Sequence, residues 1–491
     1  MIKRLQKHLW VCPLLIIAIL LIVTSIPDSD SFFLIATGEH IVENGIPYIN
    51  PFVIHENFSI IVQQWLFDIG VFCVYDIFGI FGLFLFTFLI FCASIFMMYN
   101  FLKLFTNNTI SIKLITFAFG VLICRYQVAR PSCVSILLFT ILLYCLEKYH
   151  QTHKTKWLFL LPVLSLIQVN VHSSMWPLML VFIVPYFFPY LNFSKPFNIK
   201  EWFKNNSKLL LNVGIMCLCG FINPYGLDGI LYVIKSYNNA NSLEITELMS
   251  PPITSTNGIV IMITIIILTI WLPKLFQKIF KEKIDTQNEF IRLYGLLGTT
   301  LLSAFHMRNL WFTLLWLCPI AVKMLENILV LKPRKIKVCL TILSYILTIC
   351  VICGIFIVNN GAYSALTNKD SEVAPMEAIE YLDKCDKDTI TLFTEFNNGA
   401  YCELNGYKVY MDARPELFAK AINEKEDVLS EYSKLVEGDI DFNKFVKRYN
   451  FTHLISSNDT IFNAYLRECE DFKLVVEGNE YCLFESITYK N

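Results

Sequence analysis

The sequence predicts an α-helical polytopic membrane protein with about eleven transmembrane helices, followed by a C-terminal extracytoplasmic α/β domain. Of its 491 residues, 55% are hydrophobic and 16% are charged, whereas soluble globular proteins carry about 25% charged residues. The charges divide near residue 360, because residues 1–360 hold 26 basic and 16 acidic side chains while residues 361–491 hold 14 basic and 25 acidic ones. The net charge of −1 therefore results from a positive first part and a negative second part that nearly cancel. This small net charge argues against a nucleic-acid partner.

Apolar stretches close to the length that crosses a bilayer recur throughout residues 1–360. They lie at 9–26, 81–102, 108–124, 131–147, 157–170, 175–192, 208–222, 257–275, 288–305, 309–330 and 336–358. The first stretch follows three basic residues and could be a signal peptide, but no small-residue cleavage site follows it. We therefore expect it to be retained as the first transmembrane helix.

The basic residues predict the orientation of these spans, since Lys and Arg accumulate in cytoplasmic loops. With a cytoplasmic N-terminus, 22 of the 26 basic residues in this part fall in inner loops. The four left for the outer side are Arg125, Arg130, Lys235 and Arg308. The same alternation places the C-terminal domain outside, so the sequence predicts a multi-pass protein of the cell membrane.

Residues 60–79 are also hydrophobic enough to span, but one more crossing would invert every later loop. The segment carries Asp68 and Asp76, and carboxylates are costly at bilayer depth. We predict an amphipathic helix lying at the outer interface, within an extracytoplasmic first loop that covers residues 27–80.

Polar residues that this topology places outside are the candidates for chemistry. Asp28 and Asp30 follow the first span at a spacing of two, and two close carboxylates can differ in pKa so that one stays ionised as a base. The other candidates are His40, Arg130, Asn170, His172, Glu247 and Arg308. Simpler roles are open for several of them, since loop carboxylates solvate a loop, arginines anchor lipid headgroups and a histidine can cap a helix.

After residue 360 the pattern changes to that of a small α/β domain. We expect a helix from Pro375, strands at 389–394, 407–411, 451–456, 472–476 and 480–485, and helices near 415–435, 441–449 and 460–468. Asp412 and Arg414 lie in the turn MDARPE, where they form either a structural ion pair or part of a lid or acceptor-docking surface. Four cysteines, Cys385, Cys402, Cys469 and Cys482, could form disulfides in an oxidising compartment.

No Walker loop, dinucleotide-binding glycine pattern, HExxH or GxSxG motif is present. Residues 28–52, DSDSFFLIATGEHIVENGIPYINPF, instead resemble the first-loop signature of bacterial membrane proteins with a GT-C-type glycosyltransferase fold. Short motifs extend the resemblance in the same order: ARP (129–131), NVH (170–172), NPYG (223–226), RN (308–309) and DARP (412–415). The sequence departs from the family at Leu34, where His is frequent, at Asn50, where Asp is usual, and at Gln64, where Glu is usual.

The resemblance implies that residues 1–360 form a GT-C-like transferase domain. It would move a sugar from a polyprenyl-phosphate-linked donor, held among membrane lipids, to a glycan, lipid or protein acceptor of the cell envelope, such as a polysaccharide. Asp28 and Asp30 would be catalytic, with Asp30 as the general base. Arg130, His172 and Arg308 are the candidates that face the lipid phosphate. No cofactor is certain from the pattern; the two aspartates could hold a divalent cation, although two carboxylates are few ligands for a metal ion.

The alternative is a non-enzymatic transporter or a lipid- or glycan-binding protein of envelope assembly. A transporter places ionisable or helix-breaking residues near the middle of its spans. Here the predicted spans are nearly free of charge and the polar groups gather at one face. The sequence therefore favours chemistry on a lipid-linked substrate over passage through the membrane.

Overall fold

The structure is a computed structural model, and it describes residues 11, 14–15, 17–19, 28–188, 198–239, 250–282, 287–330, 370–371 and 374–489. Helices dominate up to residue 330, and a small mixed sheet with short helices follows after residue 370. The predicted span at 9–26 lies largely outside the described residues, and the span at 336–358 and Glu247 lie entirely outside them.

The first loop begins with helix α1 (Ser29–Asn44). Asp28 is its N-cap, because the Asp28 carboxylate accepts a hydrogen bond from the Ser31 backbone N–H at 2.9 Å. The helix ends at Gly45, whose φ of +86° favours glycine. Near the middle, Gly38 lets α1 approach a neighbouring helix so closely that a β-carbon there would lie 2.1 Å from the Asp68 carbonyl oxygen.

That neighbour is helix α2 (Trp65–Leu102), which is bent at Gly79 (φ +61°, ψ −152°). The bend separates a segment at 65–78, which packs on α1, from an apolar segment at 80–102. The predicted interfacial helix and the predicted span at 81–102 thus correspond to the two sides of the bend, although residues 60–64 precede the helix. On both sides of Gly79 large apolar side chains are exposed: Ile77, Phe78, Ile80 and Phe81. Such a surface is typical of a chain that enters the membrane.

Further helices follow between residues 108 and 330. Each overlaps a predicted apolar segment except Gly226–Asn239, which lies between the predicted spans at 208–222 and 257–275. They are α3 (Thr109–Ile123), α4 (Pro131–Thr152), α5 (Leu160–Val171), α6 (Trp176–Val181), α7 (Val184–Phe187), α8 (Ile199–Cys219), α9 (Gly226–Asn239), α10 (Thr256–Glu282), α11 (Gln287–Phe305) and α12 (Leu310–Val330). Within the predicted span at 175–192, of which the structure describes residues 175–188, there are two short helices, each with a proline in its first turn.

Among the described residues, three helices are long and apolar enough to cross a membrane by length and composition: Trp65–Leu102, Pro131–Thr152 and Met307–Leu329. Shorter apolar helices lie at the predicted spans 108–124, 157–170, 175–192, 257–275 and 288–305, whereas the helix at the predicted span 208–222 is not among them. The count of eleven spans and the orientation of the chain stay predictions.

The C-terminal domain combines helices with two small sheets. Its strands are β1 (Asp370–Ser371), β2 (Ala374–Pro375), β3 (Leu392–Phe393), β4 (His453–Ser457), β5 (Phe472–Glu477) and β6 (Tyr481–Ser486), and its helices are α13 (Met376–Leu382), α14 (Gly399–Leu404), α15 (Pro415–Phe418), α16 (Lys420–Asn423), α17 (Val428–Glu437), α18 (Phe442–Tyr449) and α19 (Ile461–Glu468). β1 pairs with β2, and the larger sheet has the order β3-β4-β6-β5, in which β3 and β4 are parallel and the other pairs are antiparallel. The predicted α/β character is therefore present.

Three details of this domain differ from the prediction. Residues 407–411 form only isolated bridges at Val409 instead of a strand. The predicted helix at 415–435 is broken into α15, α16 and α17, because Ala419 is extended and Glu424 adopts a left-handed conformation. Helix α14 was not expected.

The first loop pairs with the C-terminal domain through its backbone. The Ile54 N–H donates to the Val409 carbonyl at 3.0 Å, and the Val409 N–H donates to the Phe52 carbonyl at 2.9 Å. The His55 ring also donates to the Tyr410 carbonyl at 2.8 Å. Apolar side chains of the first loop accordingly share a buried cluster with those of the C-terminal domain. A continuous apolar core therefore joins these two parts of the chain.

Arg414 contributes to this contact between the first loop and the C-terminal domain. Its guanidinium lies 2.5 Å from a carboxylate oxygen of Asp412 and 2.8 Å from one of Glu403, and all three side chains are buried. The same group lies 5.0 Å from the ring centre of Phe33 and 5.4 Å from that of Phe52, within the range of cation–π attraction. The structural ion pair considered from the sequence is present, and it packs against α1.

The cysteines of the C-terminal domain are unpaired. Cys402 and Cys482 are fully buried, and Cys385 and Cys469 are partly buried. Burial raises the pKa of the Cys402 and Cys482 thiols. Cys402 acts as a small apolar side chain, whereas the Cys482 sulfur accepts from the Arg467 guanidinium at 3.0 Å and its thiol donates to the Asn458 side-chain oxygen at 3.1 Å.

The contact at Gly38 gives a test of the packing between α1 and α2. We expect Gly38→Ala to lower the Tm of the full-length protein in detergent, because the added methyl group meets the Asp68 carbonyl and overpacking costs about 1–3 kcal/mol. Gly70→Ala is the matched control, since a β-carbon at Gly70 meets nothing within 4 Å and alanine favours a helix. Equal Tm values for the two variants would contradict the close approach.

Candidate active site

The start of α1 brings together three residues predicted from the sequence. The Arg130 guanidinium contacts Asp28 through Nε and Nη2, each 2.7 Å from Oδ2, and contacts Asp30 through Nη1, 2.9 Å from Oδ2. Each of these side chains keeps about a quarter of its surface exposed. The site is therefore an ion-paired cluster that solvent or a substrate can reach.

Local sequence explains how each member is positioned. Asp28 is oriented by the N-cap, where its Oδ1 accepts from both the backbone N–H and the hydroxyl of Ser31. Arg130 precedes Pro131 at the start of α4 and is extended (φ −122°, ψ +155°), as expected of a residue before proline. Ser31 is a member that the sequence argument missed, and the N-cap spacing of Asp28 to Ser31 is the signal that would have found it.

The Arg130 guanidinium fixes the positions of the two aspartate side chains. A planar fork of N–H donors holds two carboxylates in fixed positions, which a single ammonium cannot do equally well. It also places a positive charge between two negative ones, at a distance where their mutual repulsion would otherwise be large. Asp28 and Asp30 are thus pre-positioned as a pair.

The same geometry bears on the predicted divalent cation. Asp28 and Asp30 each direct Oδ2 at Arg130, so a divalent ion at this position would have to displace a cation that already bridges the pair. The described residues contain no group of three or more His, Cys, Asp or Glu side chains that could hold a metal ion. The residues present therefore fit a guanidinium and do not fit a metal ion.

His172 lies at the C-terminal end of α5 and is buried. Its Nδ1 is 2.8 Å from the Ser135 hydroxyl, and the Gln168 amide donates to the His172 carbonyl at 3.0 Å. Burial and, to a smaller extent, the positive charge of Arg308 together lower the pKa of His172 to about 3. The imidazole is therefore neutral at physiological pH, and it acts as a hydrogen-bonding group without charge.

Arg308 lies in the turn Met307–Asn309 before α12. Its positive charge lowers the pKa of His172. Burial raises the pKa of Glu416 in the C-terminal domain, and the positive charges of Arg414 and Arg308 offset part of that rise. Glu416 was missed by the sequence argument, although it directly follows the DARP motif. Arg308 thus lies where the helical part meets the C-terminal domain.

Asn170 has structural contacts in this structure. Its side-chain oxygen accepts from the Trp65 indole at 2.8 Å, and its NH₂ donates to the carbonyls of Leu166 and Ile222, both at 2.9 Å. Asn170 therefore connects α5 with the start of α2 and with the turn before α9. Its role in substrate binding stays a prediction.

His40 lies apart from the aspartates on the same helix. Ten residues separate it from Asp30, which corresponds to about 15 Å along an α-helix. Its ring packs edge-on against Phe52 at 5.6 Å, and burial lowers its pKa. A direct role for His40 beside Asp30 would need a substrate long enough to contact both.

The departures from the family pattern lie at structural positions. Leu34 is buried in the core on α1. The Asn50 side-chain oxygen accepts from the Phe52 N–H at 3.0 Å, a bond that an aspartate could make equally well. Gln64 directly precedes α2. The Asn50 departure therefore preserves the turn.

Comparison with known proteins gives structural similarity only. No family model matches the sequence, and no curated protein matches it. The structure is similar to ArnT from Cupriavidus metallidurans bound to undecaprenyl phosphate, with a TM-score of 0.57 and 9% identity over 98% of each chain. It is also similar to the Archaeoglobus fulgidus oligosaccharyltransferase in the apo form, with a TM-score of 0.56 and 10% identity over 92% of this chain and 70% of that one.

A second structure of the Archaeoglobus enzyme, tethered to an acceptor peptide containing the NVT sequon through a disulfide bond, matches with a TM-score of 0.50 and 9% identity. That match covers 92% of this chain and 69% of the other. Identities this low carry information about the fold alone. The resemblance to the GT-C-type superfamily, predicted from short motifs, is confirmed at the level of the fold.

Proposed function

We propose that this protein is an integral-membrane glycosyltransferase that moves a sugar from a polyprenyl-phosphate-linked donor to an acceptor hydroxyl on the outer face of the membrane. The observation that carries the proposal is the Arg130 bridge to Asp28 and Asp30, at the start of the first-loop helix of a GT-C-type fold. The similarity to a structure that contains undecaprenyl phosphate supports a lipid-linked donor.

In the proposed reaction Asp30 is the general base. Asp28 has one carboxylate oxygen engaged by Ser31 and the other by Arg130, so its position is better suited to orienting the site. Asp30 takes the proton of the acceptor hydroxyl while the acceptor oxygen bonds to the anomeric carbon. The bond from that carbon to the phosphate oxygen breaks, and the polyprenyl phosphate leaves with the electron pair. General-base assistance of this kind contributes roughly 10²–10⁴-fold.

The leaving phosphate needs positive charge or hydrogen-bond donors directed at it. Arg308 is proposed for this role because its charge acts on both the helical part and the C-terminal domain. His172 is neutral and buried, so it is proposed to help as a polar partner in the same region. Arg130 acts as a positioning residue for the aspartates, and the proposed mechanism uses no metal ion.

Replacing the base tests the central assignment. We expect Asp30→Asn to reduce sugar transfer by about 100-fold or more, measured as release of radiolabelled sugar from polyprenyl-phosphate sugars by the purified full-length protein. Glu56→Gln, which changes an exposed carboxylate of the same loop, should transfer at the wild-type rate. Normal transfer by Asp30→Asn would remove Asp30 from catalysis, and absence of transfer by the wild type with every donor would favour the binding-protein alternative.

Arg130→Lys separates positioning from donor binding. A lysine keeps the charge but cannot bridge both carboxylates, so we expect kcat to fall by about tenfold or more with a similar KM for the donor. The control is Lys235→Gln, which removes an exposed cation paired with Glu424 at 3.2 Å. A rise in KM with unchanged kcat would instead assign Arg130 to the phosphate.

Chelation tests the absence of a metal step. Because Arg130 occupies the position between the two aspartates, we expect transfer to be unchanged after treatment with EDTA. Loss of activity that Mg²⁺ or Mn²⁺ restores would show that a metal ion displaces the guanidinium during the reaction.

A further inference from the structure

A second cleft lies between the first loop and the C-terminal domain, away from the Asp28–Asp30 pair. Its volume is about 440 Å³, which is within the range of ligand pockets. The side chains that define its chemistry are Glu39, Phe72, Tyr75, Asp76, Tyr401 and Asn405. They come from α1, from the part of α2 before Gly79, and from α14 with the residue that follows it.

The cleft is distinct from the proposed catalytic site. Glu39 lies nine residues beyond Asp30 on α1, a distance of about 14 Å along the helix axis. Nine residues also correspond to two and a half turns, so Glu39 lies on the opposite face of the helix. A ligand of this cleft is therefore not in contact with the aspartates that Arg130 holds.

The charge of the cleft is negative. Glu39 and Asp76 both line it, and none of the described residues that line it is Lys, Arg or His. Burial raises the pKa of Glu39, and the negative charges of Glu43 and Asp76 raise it further. Two carboxylates in one partly enclosed space repel each other unless a positive charge lies between them.

Aromatic rings form much of the rest of the lining. Phe72, Tyr75 and Tyr401 surround the same space as the carboxylates. Tyr401 is held by an edge-on contact with Phe32, with ring centres 5.0 Å apart. Aromatic faces together with carboxylates attract organic cations, whereas a small metal ion would need more oxygen ligands than two carboxylates provide.

The opening of the cleft lies beside an apolar surface. Gly79, where α2 bends, is itself part of the lining. The exposed side chains of Ile77, Phe78 and Phe81 flank this glycine. The cleft therefore lies next to the segment at 80–102 that would enter the membrane.

We propose that this cleft binds a ligand that carries an ammonium group, either the headgroup of an aminophospholipid or a free amino compound. The ammonium group lies between Glu39 and Asp76 and against the aromatic rings. This binding site does not depend on the proposed sugar transfer, so its test uses binding alone.

The experiment uses the full-length protein in nanodiscs of phosphatidylglycerol. In one arm, ethanolamine is titrated by isothermal titration calorimetry, with ethylene glycol as the neutral match. In the other arm, phosphatidylethanolamine is added to the nanodiscs, and its retention relative to phosphatidylglycerol is measured by native mass spectrometry. Binding in the first arm identifies a free amine as a ligand, and retention in the second identifies a lipid.

The variants test the position of the ligand. We expect the double variant Glu39→Gln and Asp76→Asn to weaken binding by about tenfold or more, because it removes both negative charges. Tyr75→Leu keeps those charges and should weaken binding severalfold by removing a ring face. Glu56→Gln, an exposed carboxylate outside the cleft, should bind like the wild type. The proposal is overturned if neither amine binds better than its match, or if every variant with a wild-type Tm binds equally.

Discussion

The buried guanidinium of Arg414 lies at the contact between the first loop and the C-terminal domain. It is neutralised by Asp412 and Glu403 within the C-terminal domain, and its flat face packs on Phe33 and Phe52 of the first loop. Removing one partner of such a buried network costs about 3–5 kcal/mol, because an unpaired charge is left inside the protein. The position of α1, and therefore of the aspartates at its start, depends on this contact.

The two arginines that contact acidic pairs have opposite surroundings. Arg414 is enclosed and its partners are buried, so its network is structural. Arg130 bridges Asp28 and Asp30 with about a quarter of each side chain exposed, so its network can respond to a ligand. Access to solvent thus distinguishes the structural ion pair of Arg414 from the ion pair of Arg130 that is proposed to act in catalysis.

Much of this arrangement follows from the sequence, and the remainder depends on contacts distant along the chain. Sorting the basic residues by membrane side singled out Arg130 and Arg308, because few cations remain on the outer side. The contact between Arg130 and Asp28 joins residues 102 positions apart, and no local pattern encodes it. Apolar and polar residues alternate at 407–411 as in a strand, yet the Val409 N–H donates to the Phe52 carbonyl of the first loop. Tertiary contacts therefore determine how this segment pairs. The break after α16 involves the Asn423 amide, which donates to the Leu417 and Glu426 carbonyls, a local signal that periodicity does not reveal.

The bend at Gly79 also determines how the protein tolerates membranes of different thickness. The segment at 80–102 would extend about 34 Å at 1.5 Å per residue, slightly more than the roughly 30 Å of a typical hydrocarbon core. Exposed apolar residues lie on both sides of the bend. Their contact with the membrane interface would keep the bend at the predicted outer surface. A difference between the length of this segment and the thickness of the hydrocarbon core is then accommodated by tilt of the segment or at its far end. With the predicted orientation, the acidic cleft and the aspartates of α1 would keep a constant distance from the outer headgroups, whatever the thickness of the bilayer beneath them.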